Sequence, residues 1–121
     1  MEWACTVKRK YFDAIKNGQK GYEVRKRVPK INLGDVIFIC CKNEVLRCRV
    51  AGVLTLEKER AWFLYAHKMC IEKKLFDKYL LNVENVSLIK LHVLKVVVGN
   101  ELAEFRSVVG RNPQWFSKVN F

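Results

Sequence analysis

The chain is poor in the features that mark most catalytic or secreted small proteins. No two of its five cysteines (Cys5, Cys40, Cys41, Cys48, Cys70) form a C-x-x-C pair, and only His67 and His92 are available to help them. Structural zinc needs closely spaced Cys/His pairs, so no metal site is expected. Cys40 and Cys41 are adjacent; on a strand they point to opposite faces and cannot share a partner. Reduced thiols packing as small apolar groups are the default, in an intracellular setting, cytoplasm or nucleus. The start of the chain has no charged stretch followed by an apolar one, so secretion is not expected. No apolar run approaches the ~20 residues that span a bilayer, which argues against a membrane partner. A glycine-rich phosphate loop, a G-x-S-x-G elbow and an H-E-x-x-H helix are all missing, so common catalytic scaffolds are not signalled and no cofactor is expected. Repeats, linkers and low-complexity tracts are missing too, and residues 1–121 read as a single domain.

Acids are also scarce. Twelve Asp and Glu face 23 Lys and Arg, giving a formal charge of +11, while half of the residues are apolar. That apolar share is enough for a core without a metal or disulfide staple. The positive excess attracts polyanions and speeds their encounter without specifying a fold. It is concentrated: residues 1–30 carry nine cations (Lys8, Arg9, Lys10, Lys16, Lys20, Arg25, Lys26, Arg27, Lys30) against Glu2, Asp13 and Glu23. A solvated basic face that merely aids solubility would look similar. The interleaving of Tyr11, Phe12 and Tyr22 favours nucleic acid, because cations follow phosphates while aromatic faces stack on bases.

Periodicity predicts the elements. Trp3, Cys5 and Val7 alternate against Ala4 and Thr6, a strand over residues 3–7. A helix is expected over 9–17, with Phe12 and Ile15 on its apolar side and Gly18 as its stop. Residues 21–27 alternate as a strand, with Glu23, Arg25 and Arg27 on one face and Tyr22, Val24 and Lys26 on the other. Strands over 36–41 and 45–56 are joined by a hairpin tip at Lys42, Asn43 and Glu44, and Gly52 suggests a bulge. Helical spacing follows over 57–70 (Trp62, Tyr65, Met69) and 73–81 (Leu75, Phe76, Tyr79, Leu80), read as core-packing stripes. Residues 86–98 form a β-branched run, a strand buried on both faces for part of its length. Residues 101–109 fit a helix or a strand equally, and 115–119 can form a last strand. The fold class is α+β, mainly β: a small curved sheet or barrel of five to six strands with two to three helices packed on it.

Three stretches, in order, carry a family resemblance. Tyr11-Phe12-x-x-Ile15-x-x-Gly18-x-Lys20-x-x-Glu23-x-Arg25-Lys26-Arg27 followed by Gly34-Asp35-Val36 resembles the signature of the ASCH family, small domains with a PUA-like barrel. Phe76-Asp77-Lys78-Tyr79 is similar to that family's second-helix motif, and Pro113-Gln114-Trp115-Phe116 to its closing segment, with Asn112 and Trp115 departing from the family pattern. The resemblance implies a cleft at the barrel mouth and a role in RNA metabolism. It also implies that some members are hydrolases, acting on RNA or on acetylated cytidine. In the amidohydrolase subgroup the catalytic lysine falls at Lys20, its threonine partner at Glu23, and its glutamate in a region where Glu72 is the loose candidate.

The residues themselves agree with a ligand cleft. Lys20, two residues beyond the helix stop, is expected on a loop free to present its ammonium group. Glu23 and Arg25 share a face, so the carboxylate can accept hydrogen bonds from a base or sugar while the cations meet phosphate. The same two residues can equally form a structural ion pair. The expected nucleic-acid-binding set is Lys8, Arg9, Lys10, Lys20, Glu23, Arg25, Lys26, Arg27 and Arg111. Should the chain be an enzyme, a ribonuclease or a nucleoside amidohydrolase, Lys20 with Glu23 and Tyr22 would be its catalytic set. A protein-interaction module using Trp62, Trp115 and Phe116 is the third reading.

Overall fold

The computed structural model describes residues 1–110, 113 and 117–119. Among these residues six strands and four helices follow in the order β1 (Glu2–Thr6), α1 (Arg9–Lys16), β2 (Tyr22–Arg25), β3 (Val36–Cys41), β4 (Glu44–Glu57), α2 (Lys58–Met69), α3 (Lys73–Tyr79), β5 (Asn85–Val96), α4 (Gly99–Val109) and β6 (Ser117–Val119). The strands form one mixed sheet in the order β2-β5-β4-β3-β1-β6, curled into a half-barrel. The class is the expected one, mainly β with helices packed on the sheet; the helices number four rather than two to three.

Period-two alternation sorts each strand between two cores. Trp3, Cys5 and Val7 of the first strand and its extension face the concave side with Ile37, Ile39, Cys41, Leu46, Cys48 and Val50, where Phe12 and Ile15 of α1 plug the curl. Ala4, Phe38, Cys40 and Val45 face the convex side, where Phe105 of α4 packs on Phe38 at a ring separation of 4.8 Å. Cys40 and Cys41 therefore fall into different cores, as adjacency on a strand demands. A third core joins Val24, Val86 and Leu88 to Ala61, Met69, Phe76 and Leu80 of α2 and α3. Val86 to Ile89 are buried in succession, the part of β5 covered on both faces. The buried Cys48 thiol has its pKa pushed up to about 12 by desolvation, which keeps it an inert packing group.

Local signals fix the joints. Gly18 lies at φ +85°, the left-handed residue that ends α1. Register shifts by one residue between Val50 and Gly52, the bulge expected at that glycine. The ambiguous segment 101–109 is helical, because Leu102, Phe105 and Val109 are the residues that reach the convex core. β2 stops at Arg25, two residues before the expected end, since Arg25 pairs with Ser87 at the last register position it shares with β5.

Among the described residues the sheet does not close: there β6 pairs only with Glu2, Trp3 and Ala4, and β2 only with β5. The C-terminal end of β1 and the outer edge of β2 are thus left facing a seam.

Candidate nucleotide cleft

That seam holds a cleft of about 500 Å³. Thr6, Val7 and Lys8 form one wall, and Glu23 to Arg25 of β2 with the following Lys26 another; Tyr11 of α1, Lys20, and Ile71, Leu75, Lys78 and Tyr79 from the α3 region complete it. Five cations and one acid line it, together with two phenol rings. Such a mixture of apolar wall and convergent polar groups is what small-ligand sites show.

Lys20 departs from its expected place. It is buried, 4 % exposed, rather than presented on a free loop. Its Nζ donates to the Met69 carbonyl at the C-terminal end of α2 and lies 5.2 Å from the Tyr11 ring centroid. A helix C-terminus carries partial negative charge and a ring face attracts cations, so both neighbours suit an ammonium. Burial nevertheless pulls its pKa below the ordinary lysine value, and Arg25 adds to this, while the Glu23 carboxylate works in the other direction.

Glu23 is 7 % exposed and unequally partnered. Oε1 accepts the backbone N–H of Val24 at 3.0 Å. Oε2 is buried with no hydrogen-bond partner among the described residues, and the nearest Arg25 nitrogen, Nη2, is 3.9 Å away. Thr6 Oγ1 is a second buried polar atom of this lining without a hydrogen-bond partner there. The Glu23–Arg25 approach confirms that these two share a face, and both charges act on the thiol of Cys5 inside the curl; desolvation, aided by Glu23, raises that thiol's pKa.

The opposite face of β2 is structural. Tyr22 packs on Tyr65 at 5.0 Å, and burial and that neighbour raise its phenol pKa; it does not line the cleft. Lys26 crosses to the cleft rim, 5.2 Å from the Tyr79 ring.

Of the sequence-derived set, Lys8, Lys20, Glu23, Arg25 and Lys26 converge on the cleft. Arg9 turns away to Glu44, at 2.5 Å, and to Asp13, at 3.3 Å. Lys10 lies over the outer side of α1 near Tyr11 and Arg27 is exposed; neither lines the cleft. Glu72, the loose candidate for a catalytic glutamate, is exposed at the start of α3 and also lies outside the lining. Arg111, Trp115 and Phe116 fall outside the described residues. Trp62 packs in a tilted arrangement against Phe76 at 4.9 Å and is half-buried.

Sequence reasoning missed Lys78 and Tyr79 as cleft residues, although their motif was visible; Ile71, Leu75 and Thr6 gave no signal of their own. Among the described residues no cluster of three His, Cys, Asp or Glu can hold a metal ion. No helix among them is long and apolar enough to cross a membrane.

Comparison with known proteins places this geometry. The ASCH domain profile matches residues 6–108. The crystal structure of a serine-to-alanine variant of the ASCH protein from Zymomonas mobilis superimposes with a TM-score of 0.85 at 17 % identity, covering 98 % of this chain and 88 % of that one. The unsubstituted Zymomonas mobilis protein gives 0.78 at 18 % identity, over 97 % of this chain and 88 % of that one. A Pyrococcus furiosus protein solved by NMR gives 0.57 at 20 % identity, over 78 % of this chain and 99 % of that one. No curated protein matches the chain. At these identities the structural likenesses speak for the fold, and the profile match speaks for the family: the chain belongs to the ASCH domain family, whose fold is PUA-like.

Proposed function

We propose that the chain is an RNA-binding domain that seats one nucleotide of a single strand in the β1–β2 seam. The observation that carries this is the composition of the cleft. Lys8, Lys20, Arg25, Lys26 and Lys78 supply cations for phosphate, while Tyr11 and Tyr79 offer ring faces for a base. A purely electrostatic patch would need neither the rings nor a buried acid. The family's suggested RNA role agrees with it. The test is a fluorescence-anisotropy titration with a short single-stranded RNA. Micromolar or tighter binding that weakens steeply with salt is expected; binding indifferent to salt rejects the proposal.

Hydrolysis is the second reading, favoured by one observation: a buried lysine of lowered pKa inside the same cleft. Desolvation of this kind prepares an amine for base or nucleophile chemistry. Incubation with labelled RNA and with acetylated cytidine, beside a Lys20→Ala control, decides it. Turnover lost in the control supports an enzyme; no turnover, or equal turnover, rejects one.

A further inference from the structure

The unpartnered oxygen of Glu23 says more than that a nucleotide is bound. A carboxylate offers acceptors only, and here one of its two oxygens is already taken by the Val24 N–H. Oε2 is withdrawn from water and meets no donor among the described residues, with Arg25 Nη2 beyond hydrogen-bond reach at 3.9 Å. Native proteins leave few buried polar atoms unmet, and such an atom in the wall of a cleft calls for a donor from outside. Phosphate cannot be that donor. A phosphate brought to Glu23 would set two anions together, whereas Lys20, Arg25 and Lys26 are placed to take it.

We infer that the cleft selects the base by its hydrogen-bond donors, taking guanine in preference to uracil, with Glu23 Oε2 as the acceptor; this rests on the RNA-binding reading above. Guanine presents N1–H and an N2 amino hydrogen side by side, two donors that can both be directed at the one unpartnered oxygen. Uracil presents a single N3–H between two carbonyl oxygens, and both of those oxygens repel a carboxylate. Cytosine and adenine each offer one amino group next to a ring acceptor, which places them between the extremes. Thr6 Oγ1, a hydroxyl able to donate or accept, imposes no choice of its own. Stacking on Tyr11 or Tyr79 is tolerant of base identity, so the carboxylate is the element that discriminates.

The experiment uses U-rich single strands with G, A, C or U at one central position, titrated by fluorescence anisotropy. The G strand should bind about tenfold tighter than the U strand, the scale of a well-placed pair of base contacts. N1-methylguanosine at that position, which removes the ring donor, should fall to the level of uridine, while 7-deazaguanosine should bind like guanosine. Glu23→Gln keeps an acceptor for Val24 and sets an amide N–H₂ where Oε2 stood. Its G-over-U ratio should fall to within about twofold, whatever the removal of a negative charge does to overall affinity. Should that variant fail to fold by circular dichroism, the two modified guanosines decide the matter on the unaltered protein. Salt-dependent binding with equal affinity for all four strands overturns base selection and leaves RNA binding standing. A guanine preference that survives N1-methylation overturns the role of Glu23, and no salt-dependent binding at all overturns both.

Discussion

Two acids in this molecule are buried to nearly the same degree, Glu23 at 7 % exposure and Asp35 at 8 %, and they live in opposite circumstances. Asp35 sits in the turn before β3 and is surrounded by donors. Its Oδ2 accepts the Trp3 indole N–H at 3.1 Å and the Asn32 backbone N–H at 3.0 Å, and the Met1 ammonium stands 3.4 Å from Oδ1. Glu23 has one donor on one oxygen and a cation just out of reach of the other. Equal burial with unequal satisfaction separates a carboxylate that is fully held by the fold from one that the fold leaves half-partnered, the feature on which the proposal rests. The exposed basic residues repeat the lesson. Lys8 lines the cleft while its neighbour Arg9 is spent on Glu44 and Asp13, so a count of positive charge alone cannot tell them apart.

The largest expected effect lies on the Glu23 side. Replacing Lys20 and Arg25 together by Ala should weaken single-stranded RNA binding at least about tenfold, the scale of losing charged hydrogen bonds. It should also reduce the salt slope by about 1.4 if both cations meet phosphate. Asp35→Asn should leave affinity and slope alone. Anisotropy at several salt concentrations checks both, and an equal loss in the two variants breaks the distinction between the acids.

Next comes the stability of the Asp35 side. Asp35→Asn removes a charged acceptor from a buried network and should cost about 1–3 kcal/mol at neutral pH. Burial alone would raise the Asp35 pKa, but the Asn32 and Trp3 hydrogen bonds and the Met1 ammonium outweigh it and leave the pKa below its ordinary value. A carboxylate whose pKa is depressed by folding adds stability that is complete above the unfolded value near ~4 and is lost as pH falls through the folded value. The gap between wild type and variant in urea unfolding should therefore narrow below about pH 4. A gap that stays constant or widens in acid contradicts the assignment.

A smaller effect is expected at Glu44, a half-buried acid that holds Arg9 and Lys16 at 2.5 and 3.6 Å and whose own pKa those partners lower, the Arg9 hydrogen bond first. Glu44→Gln removes the acid beside Arg9 and Lys16, two cations outside the cleft lining. RNA affinity should rise by less than about threefold through the general field, with the ranking of bases unchanged. A change in ranking would mean that the cleft is not where bases are distinguished.

These contrasts also show what the sequence could and could not reveal. The faces of β1 and β2 were legible because side chains alternate along a strand, which needs no distant partner. The helix over 99–109 was not, because its N-cap position is Val98, without a capping side chain, and its last turn ends in two valines; packing of Phe105 on Phe38 decides it. The cleft residues of β2 were legible as a cluster, yet Lys20 was misplaced. Its partner carbonyl belongs to Met69, 49 residues on, and no local pattern records that meeting. Thr6 earned no notice for the same reason: its place in the lining comes from where β1 ends relative to β2, a property of the curl and not of the chain nearby.

The smallest effect sharpens the comparison most, because it reads the charge of Glu23 without any ligand. Lys20 is the reporter. Burial lowers its pKa, Glu23 opposes that, and Arg25 adds to it. Removing the carboxylate charge in Glu23→Gln takes away the opposing influence, so Lys20 should deprotonate at lower pH than in wild type. Arg25→Gln removes a repelling cation and should move it the other way. The pH dependence of Lys20 modification by an amine-reactive reagent, followed by peptide mass spectrometry, reports both, since only the neutral amine reacts. Asp35→Asn supplies the control, as Asp35 is not among the groups that act on Lys20. Opposite shifts in the two β2 variants and none in the control would show that Glu23 and Arg25 act on Lys20 in opposite senses. No shift in either β2 variant would mean that Lys20 answers to burial alone and that the acid beside it is electrically idle.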